Sequence, residues 1–554
     1  MRYLKWFYNV IYRIPVDVVD SLSFIEASNN PPLVTSGSYN YIIIFLLSPI
    51  SGEDENHKLQ KRLLEVDQKV PIVTFYRAAY TFNGESVYNM IFNIDPICER
   101  EAYIRDVSFT DETLRQGIDY PRAKDLVSDY NSVNDKDQFV VVRSFREDKD
   151  FKPLMLLKND VVASQSGLNI FIGQRGVAIP REDLALELDR PIYFLRLLDN
   201  LLKKSPAGYL RLRLTKWPIA LRMDDPPMTW QFTSHRAKIL TPSDYVRILN
   251  TLTKYGAKMT CFVTPAISRD GKIRSWIETD FSDAKKILRI LKEGARKEVF
   301  EIGCHGLTHL TIGYKLPSTI TKIVWKVRSA KINLAREFYD SLSRKEIAYN
   351  LQKKQLERSI ELINKLFGSK PKAFAPPAHT CDDSTEKVVL EMGMSYLSAD
   401  MNFYLYPEGF GFRKNRSPIG ESAQNDKLLY VSATVLGDYG TFKRTLRLFN
   451  ELGIPLVWQQ HNFYPSWFTP EILESFFKDL NMFNNKTYMT IGELGDLLQR
   501  WKKIKIDTNL DNGYINCEIE TEIPVLVEAY YRGKVQVKEV SAGRHQIEMN
   551  LQSP

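Results

Sequence analysis

The sequence predicts an α/β protein, and three observations carry that expectation. Short apolar runs alternate with amphipathic helical stretches from about residue 216 to 503. Residues able to do chemistry follow the ends of those runs, where α/β folds place their sites. A strictly alternating segment then closes the chain from about residue 504. The composition, 44% hydrophobic and 26% charged over 554 residues, is that of ordinary globular protein. At about 100–200 residues per domain the length allows two to four of them.

The first zone, 1–215, reads as an α/β accessory domain. Strand-like runs fall at Tyr41–Leu47, Val70–Tyr76, Gln138–Arg143 and Leu168–Gly173, and Leu195, Leu198 and Leu202 recur at helical spacing within Arg190–Lys204. In the second zone the strand candidates are Ile219–Met223, Lys258–Val263, Val299–Gly303, Ala373–Ala375, Tyr396–Ser398, Leu429–Val431, Leu456–Gln460 and Tyr488–Thr490. Such a series separated by helices suggests a (β/α) barrel or a doubly wound sheet. The third zone, 504–554, alternates apolar and polar residues around turns at Asp511-Asn512-Gly513, Arg532-Gly533 and Ala542-Gly543. It reads as a small β-sandwich-like module.

Charge is unevenly spread. The whole chain carries 75 Lys and Arg against 67 Asp and Glu, a formal +8. Residues 311–360, a helical insertion in the alternation, hold eleven basic residues against four acids. That segment suits a solvated helix face or a peripheral contact with an anionic surface. Nucleic-acid binding is disfavoured, since no recognition motif accompanies the basic excess. Five scattered cysteines without a CxxC pair argue against a zinc ribbon or a disulfide framework. No apolar run approaches the ~20 residues a membrane span needs, and the N-terminus lacks a readable signal peptide. The expected location is cytoplasmic, with a membrane-peripheral contact as the variant.

Three short strings concentrate the chemistry. Ile219–Trp230 runs an apolar strand into Asp224-Asp225 and then two prolines, which end the strand. An Asx turn would explain an isolated pair of this kind, but carboxylates beside apolar β structure are costly unless neutralised. A divalent cation would do that. Phe300–Leu310 places His305 and His309 four residues apart after another strand; on a first helical turn both rings would face one metal. Leu456–His461 ends a third apolar run on a histidine.

These strings resemble the polysaccharide deacetylases of the NodB-homology group, carbohydrate esterase family 4. That family's T-F-D-D is similar to Leu221-Arg222-Met223-Asp224-Asp225. Its A-T-F-F-V is similar to Met259-Thr260-Cys261-Phe262-Val263. Its H-(S/T)-x-x-H corresponds to His305-Gly306-Leu307-Thr308-His309, and its late L-x-x-H strand to Leu456–His461. Its F-R-x-P-Y-G falls on Phe374-Ala375-Pro376-Pro377-Ala378-His379, where the arginine, tyrosine and glycine are replaced.

The resemblance implies a distorted (β/α) barrel over 216–503 that hydrolyses an N-acetyl group of an amino-sugar polysaccharide or glycolipid. It implies one divalent metal, zinc first, with cobalt, nickel, manganese or iron as alternatives, held by Asp225, His305 and His309. Asp224 would be the general base and His461 the general acid. The Ala378 amide would face the oxyanion, and His379 would bind substrate or serve as an alternative acid. The vacated arginine leaves the base without its family partner; Arg222, Arg413 or Arg416 could supply it, and Arg222 also stands among the substrate-side candidates. Two other readings are an amidase for a small non-glycan amide and a catalytically silent glycan-binding protein.

Overall fold

A computed structural model of the chain describes residues 6–13, separated stretches between 42 and 203, and three longer ones. These are 208–310 without 228–239 and 270–271, 337–399 without 341–344 and 382, and 418–552 without 425, 437–438, 463–468 and 512. The chain divides into two compact units. One contains Met1–Leu184, Arg190–Thr215 and Ile504–Pro554; the other is built mainly from Lys216–Lys503.

In the first unit, strands Ile42–Ile44, Ile72–Phe75 and Asn169–Ile172 pair in parallel, and antiparallel strands between Ile94 and Ser166 extend the same sheet. A helix covers Pro191–Lys203. The C-terminal strands were expected to stand apart as a module. Instead Val525–Tyr531 pairs antiparallel with Tyr209–Leu214, so segments more than 300 residues apart in sequence share one sheet. In the C-terminal strands Ile515, Cys517 and Ile519 are buried, with exposed residues alternating between them.

The second unit holds the alternation read from the sequence. Its strands are β1 (Trp217–Asp224), β2 (Met259–Val263), β3 (Phe300–Cys304), β4 (Ala373–Phe374), β5 (Tyr396–Leu397), β6 (Leu428–Tyr430), β7 (Val435–Leu436), β8 (Leu456–His461) and β9 (Lys486–Met489). They pair in parallel in the order β6-β5-β4-β3-β2-β1-β8-β7, with β9 also on β1. β1 is buried along its full length, as a strand covered on both faces must be. Past β6, Val431 and Ala433 donate backbone bonds to Leu397 and Ala399, and Thr434 donates to Val457. One chain run thus leaves the β5 edge and joins the β8 edge, which curls the sheet.

The helices between strands have local reasons to start and stop. α1 (Pro242–Tyr255) opens on a capping box between Thr241 and Asp244 with proline in its first turn, and ends at left-handed Gly256. α3 (Tyr349–Phe367), following α2 (Ser282–Arg296), ends the same way at Gly368. Between β8 and the helix Pro470–Leu480 lies an aromatic core of Trp458, Phe476, Phe442 and Tyr439, with ring centroids 4.9–5.9 Å apart where Trp458 meets the others. All five cysteines are free thiols. Among the described residues no helix is long and apolar enough to cross a membrane.

Candidate metal and catalytic site

The parallel register brings the C-terminal ends of β1, β3 and β8 together. Asp224 lies opposite Phe262 of β2 on one side and His461 of β8 on the other. Beyond Asp224 the chain turns sharply. Asp225 takes φ +75°, and its amide donates to the Phe262 carbonyl. That left-handed step sends the two neighbouring carboxylates in different directions, and each finds different company.

Asp224 is completely buried and held by nitrogen donors. Arg222 grips it through two bonds, Nε to Oδ1 at 2.7 Å and Nη2 to Oδ2 at 2.6 Å. The Gln459 amide adds a third bond to Oδ2 at 2.8 Å. Arg222 is itself fully buried, lies over the Phe262 ring and donates to Ser398 Oγ at 3.2 Å. A carboxylate has about four lone-pair positions. Three are filled here, which leaves one on Oδ1 as a place to accept a proton. The side-by-side grip is possible because residues two apart on a strand share a face.

Asp225 has the opposite surroundings. Neither of its oxygens meets a donor at hydrogen-bonding geometry, although it is 1% exposed. Oδ1 lies 3.2 Å from His305 Nε2 and 3.3 Å from His309 Nε2. His305 Nδ1 sits 2.8 Å from the Ala375 carbonyl, which can only accept, so Nδ1 carries the hydrogen. In the neutral ring Nε2 then turns a lone pair toward the carboxylate. Burial would raise the Asp225 carboxyl, but the surrounding imidazoles hold it well below the usual range. Burial also works against a charged His305, yet Asp225 and Asp224 outweigh it and raise that ring; His309 is pushed down to about 4 by burial. Buried lone pairs converging on one point are costly without a cation. One carboxylate and two imidazoles, with ligand atoms all within 4.8 Å, are a donor set that fits a catalytic divalent ion such as zinc.

Asp224, His379 and His461 also bring ligand atoms within 4.8 Å of one another. This second trio is not equivalent. Its carboxylate already accepts three N–H bonds, two from a guanidinium, so its charge is balanced. His379 Nε2 lies 3.0 Å from the Gln459 amide nitrogen. Burial lowers both His379 and His461, with Arg222 adding to the effect at His379 and Asp225 opposing it at His461.

The HxxxH string differs from the helical turn anticipated for it. Gly306 and His309 both have positive φ, +72° and +62°, and the segment is an open loop. Its amides turn inward onto Glu337, which burial pushes up to about 7 while the N–H donors around it pull the other way. Ala378, at φ +52°, is half-buried, and its amide donates to no group among the described residues. Arg222, a candidate both for substrate contact and for the vacated arginine, spends its guanidinium on Asp224 and Ser398. Arg413 and Arg416 lie outside the described residues, as do 311–336 and 341–344 of the basic insertion. Gln459, Ser398 and Glu337 were not foreseen. Gln459 precedes His461 by two on one strand, a signal that was available; Glu337 has no local signal.

No curated protein matches the sequence. Solved structures similar to the chain include a T48 deacetylase with substrate, at 15% identity, covering 50% of this chain and 91% of that one with a TM-score of 0.27. A family 4 acetyl xylan esterase from Clostridium thermocellum with a cobalt ion is 16% identical over 50% and 91%, TM-score 0.27. A CE4 family pseudoenzyme from Bacillus anthracis is 16% identical over 51% and 66%, TM-score 0.29. The family model described as polysaccharide deacetylase matches residues 214–397, which include both aspartates and the histidine pair but stop short of His461. Residues 214–397 thus match the polysaccharide deacetylase family model, in line with the strand-end motifs found there.

Proposed function

We propose that the chain is a metal-dependent hydrolase that removes N-acetyl groups from an amino-sugar polysaccharide or glycolipid. The observation that carries this reading is the division of labour between adjacent carboxylates: Asp224 in the grip of Arg222 and Gln459, Asp225 facing two imidazole nitrogens. Asp225, His305 and His309 would hold the ion, which when bound polarises a carbonyl and lowers the pKa of water.

The chain's own residues supply the rest. Asp224 accepts the proton of the attacking water at its remaining Oδ1 position, oriented by Arg222 in place of the family's third-motif arginine. His461, opposite Asp224 across the β1–β8 ladder, gives a proton to the amine as the C–N bond breaks. The Ala378 amide, which meets no acceptor among the described residues, receives the developing oxyanion. His379, held by Gln459, takes the substrate side of the pocket.

The test combines metal content with acetate release. Wild type should hold about one divalent ion per chain and His305→Ala/His309→Ala none. Asp224→Asn and His461→Ala should keep the ion and lose deacetylation of N-acetylated oligosaccharides by roughly 100-fold or more. Equal or faster turnover of a short non-glycan amide would favour the small-amide reading. Unchanged turnover in both variants would remove the assigned roles.

A further inference from the structure

The loop between the two histidines is shaped by a residue far from it in sequence. Glu337 comes from the basic insertion and is fully buried beneath the loop. Its Oε1 accepts from the Leu307 amide at 2.9 Å and from Gln355 Nε2 of α3 at 3.0 Å. Its Oε2 accepts from the amides of His309 at 2.8 Å, Leu307 at 3.1 Å and Thr308 at 3.3 Å. Three successive backbone N–H groups therefore converge on one carboxylate, an anion-binding nest filled by the protein itself.

The sequence is cut to admit that carboxylate. At Gly306, where the resemblance leads one to expect serine or threonine, a Cβ would come within 2.2 Å of Glu337 Oε2 and 3.0 Å of Pro377 Cγ. The φ of +72° at the same residue favours glycine independently. The Gly306 carbonyl is meanwhile fixed by Ser359 Oγ at 2.6 Å. With the 307–309 amides turned inward, the loop is open rather than helical, and His309 Nε2 comes to 3.3 Å from Asp225.

We propose that Glu337 is a positioning residue for the metal-ligand pair, and that Gly306 is the space made for it. The inference rests on the metal reading given above and deepens it. The insertion thereby has a function at the site: it delivers the internal counter-group around which the ligand loop is wound. Glu337 touches neither ion nor substrate; it acts through the amide of His309 and those of the two residues before it.

The experiment uses the full chain, stripped with chelator and titrated with Co2+. Glu337→Gln keeps the length of the side chain but replaces one acceptor with a donor. It should weaken Co2+ binding about 10–100-fold, the usual consequence of losing an outer partner of a ligand, and change the visible Co2+ spectrum. In the chelated protein, hydrogen exchange of the 307–309 amides should accelerate in the same variant. Gly306→Ala, which pushes on the carboxylate from the other side, should reproduce both effects if Glu337→Gln fails to fold. Wild-type affinity, spectrum and amide protection in a folded Glu337→Gln chain would overturn the positioning role while leaving the metal reading intact. Failure of the wild type to take up Co2+ would overturn both, and the two failures are thus told apart.

Discussion

Each unit of this protein buries an arginine among carboxylates, and the two clusters end differently. In the first unit Arg211 lies between Asp199 and Glu528, all three essentially inaccessible. Every oxygen there is served. Asp199 Oδ1 accepts from Tyr12, Tyr209 and Arg211, and its Oδ2 pairs with Lys203. Glu528 accepts from Arg211, Arg213 and Tyr530. In the second unit Arg222 serves Asp224 as fully, but Asp225 beside it has no such donors. A closed polar network gives a buried cluster a unique arrangement. An open one, facing imidazole nitrogens, marks a place built for something else.

The largest effects should come from removing either arginine. Arg211→Met removes the central cation from two buried carboxylates, leaving Lys203 beside Asp199 and Arg213 beside Glu528, and should destabilise its unit by about 3–5 kcal/mol. Arg222→Met should cost its own unit a similar amount and abolish deacetylation by whatever folded protein remains. Calorimetry that resolves the two units, alongside acetate release, checks this. If turnover per folded molecule survives in Arg222→Met, Arg222 has no role in orienting the base.

The sharper contrast lies between the carboxylates. Asp199→Asn should cost about 3 kcal/mol, because it breaks a satisfied buried pair. Asp225→Asn, measured in chelator, should cost less than Asp199→Asn, since this carboxylate accepts no bond at hydrogen-bonding geometry and loses only the attraction of its neighbouring imidazoles. It should also end divalent-ion uptake. Equal destabilisation by the two changes, read from denaturant midpoints, would erase the distinction between closed and open clusters.

Acid separates the units as well. Burial alone would raise Asp199, but Arg211 and Lys203 bring it down to about 2 from an ordinary 3.8. A depressed carboxyl stabilises the fold above its unfolded value and loses that contribution as pH falls through the folded one. The first unit should therefore lose about 2 kcal/mol between pH ~5 and ~2. Asp199→Asn should flatten this slope, and an unaltered slope in the variant would assign the acid sensitivity elsewhere.

How far the sequence disclosed these clusters follows from how each is assembled. Asp224, Asp225, His305, His309 and His461 stood out as candidates because each ends or closely follows an apolar strand, and parallel strands of one sheet bring such ends together. Arg222 was legible as a candidate because strand alternation put it on the face of Asp224. Glu337 was hidden: it works through backbone amides about thirty residues away, and nothing near it in sequence requires a buried acid. The Arg211 cluster was hidden for a similar reason. Its partners Tyr12, Asp199 and Glu528 lie far apart in the sequence, and pairing of Val525–Tyr531 with Tyr209–Leu214 cannot be read from alternation alone. The C-terminal strands looked self-sufficient because alternation reports which residues face inward, not which element covers them.

The smallest effects make the finest test, because each variant removes one side chain with two hydrogen-bond contacts of similar worth. Tyr530→Phe removes the hydroxyl that donates to Glu528 and accepts from Arg211 Nη2, while Glu528 keeps Arg211 and Arg213, and should cost about 1 kcal/mol. Gln459→Leu removes the amide bond to Asp224, which keeps both bonds from Arg222, and should cost about the same. The stability losses match, but the consequences should not. Tyr530→Phe should leave deacetylation unchanged. Gln459→Leu should lower kcat about tenfold with KM little altered, because an Asp224 held on one side can swing out of line with the attacking water and His379 loses its donor. If the two variants have the same kinetics, Gln459 is a packing residue, and the Asp224 cluster is closed by Arg222 alone.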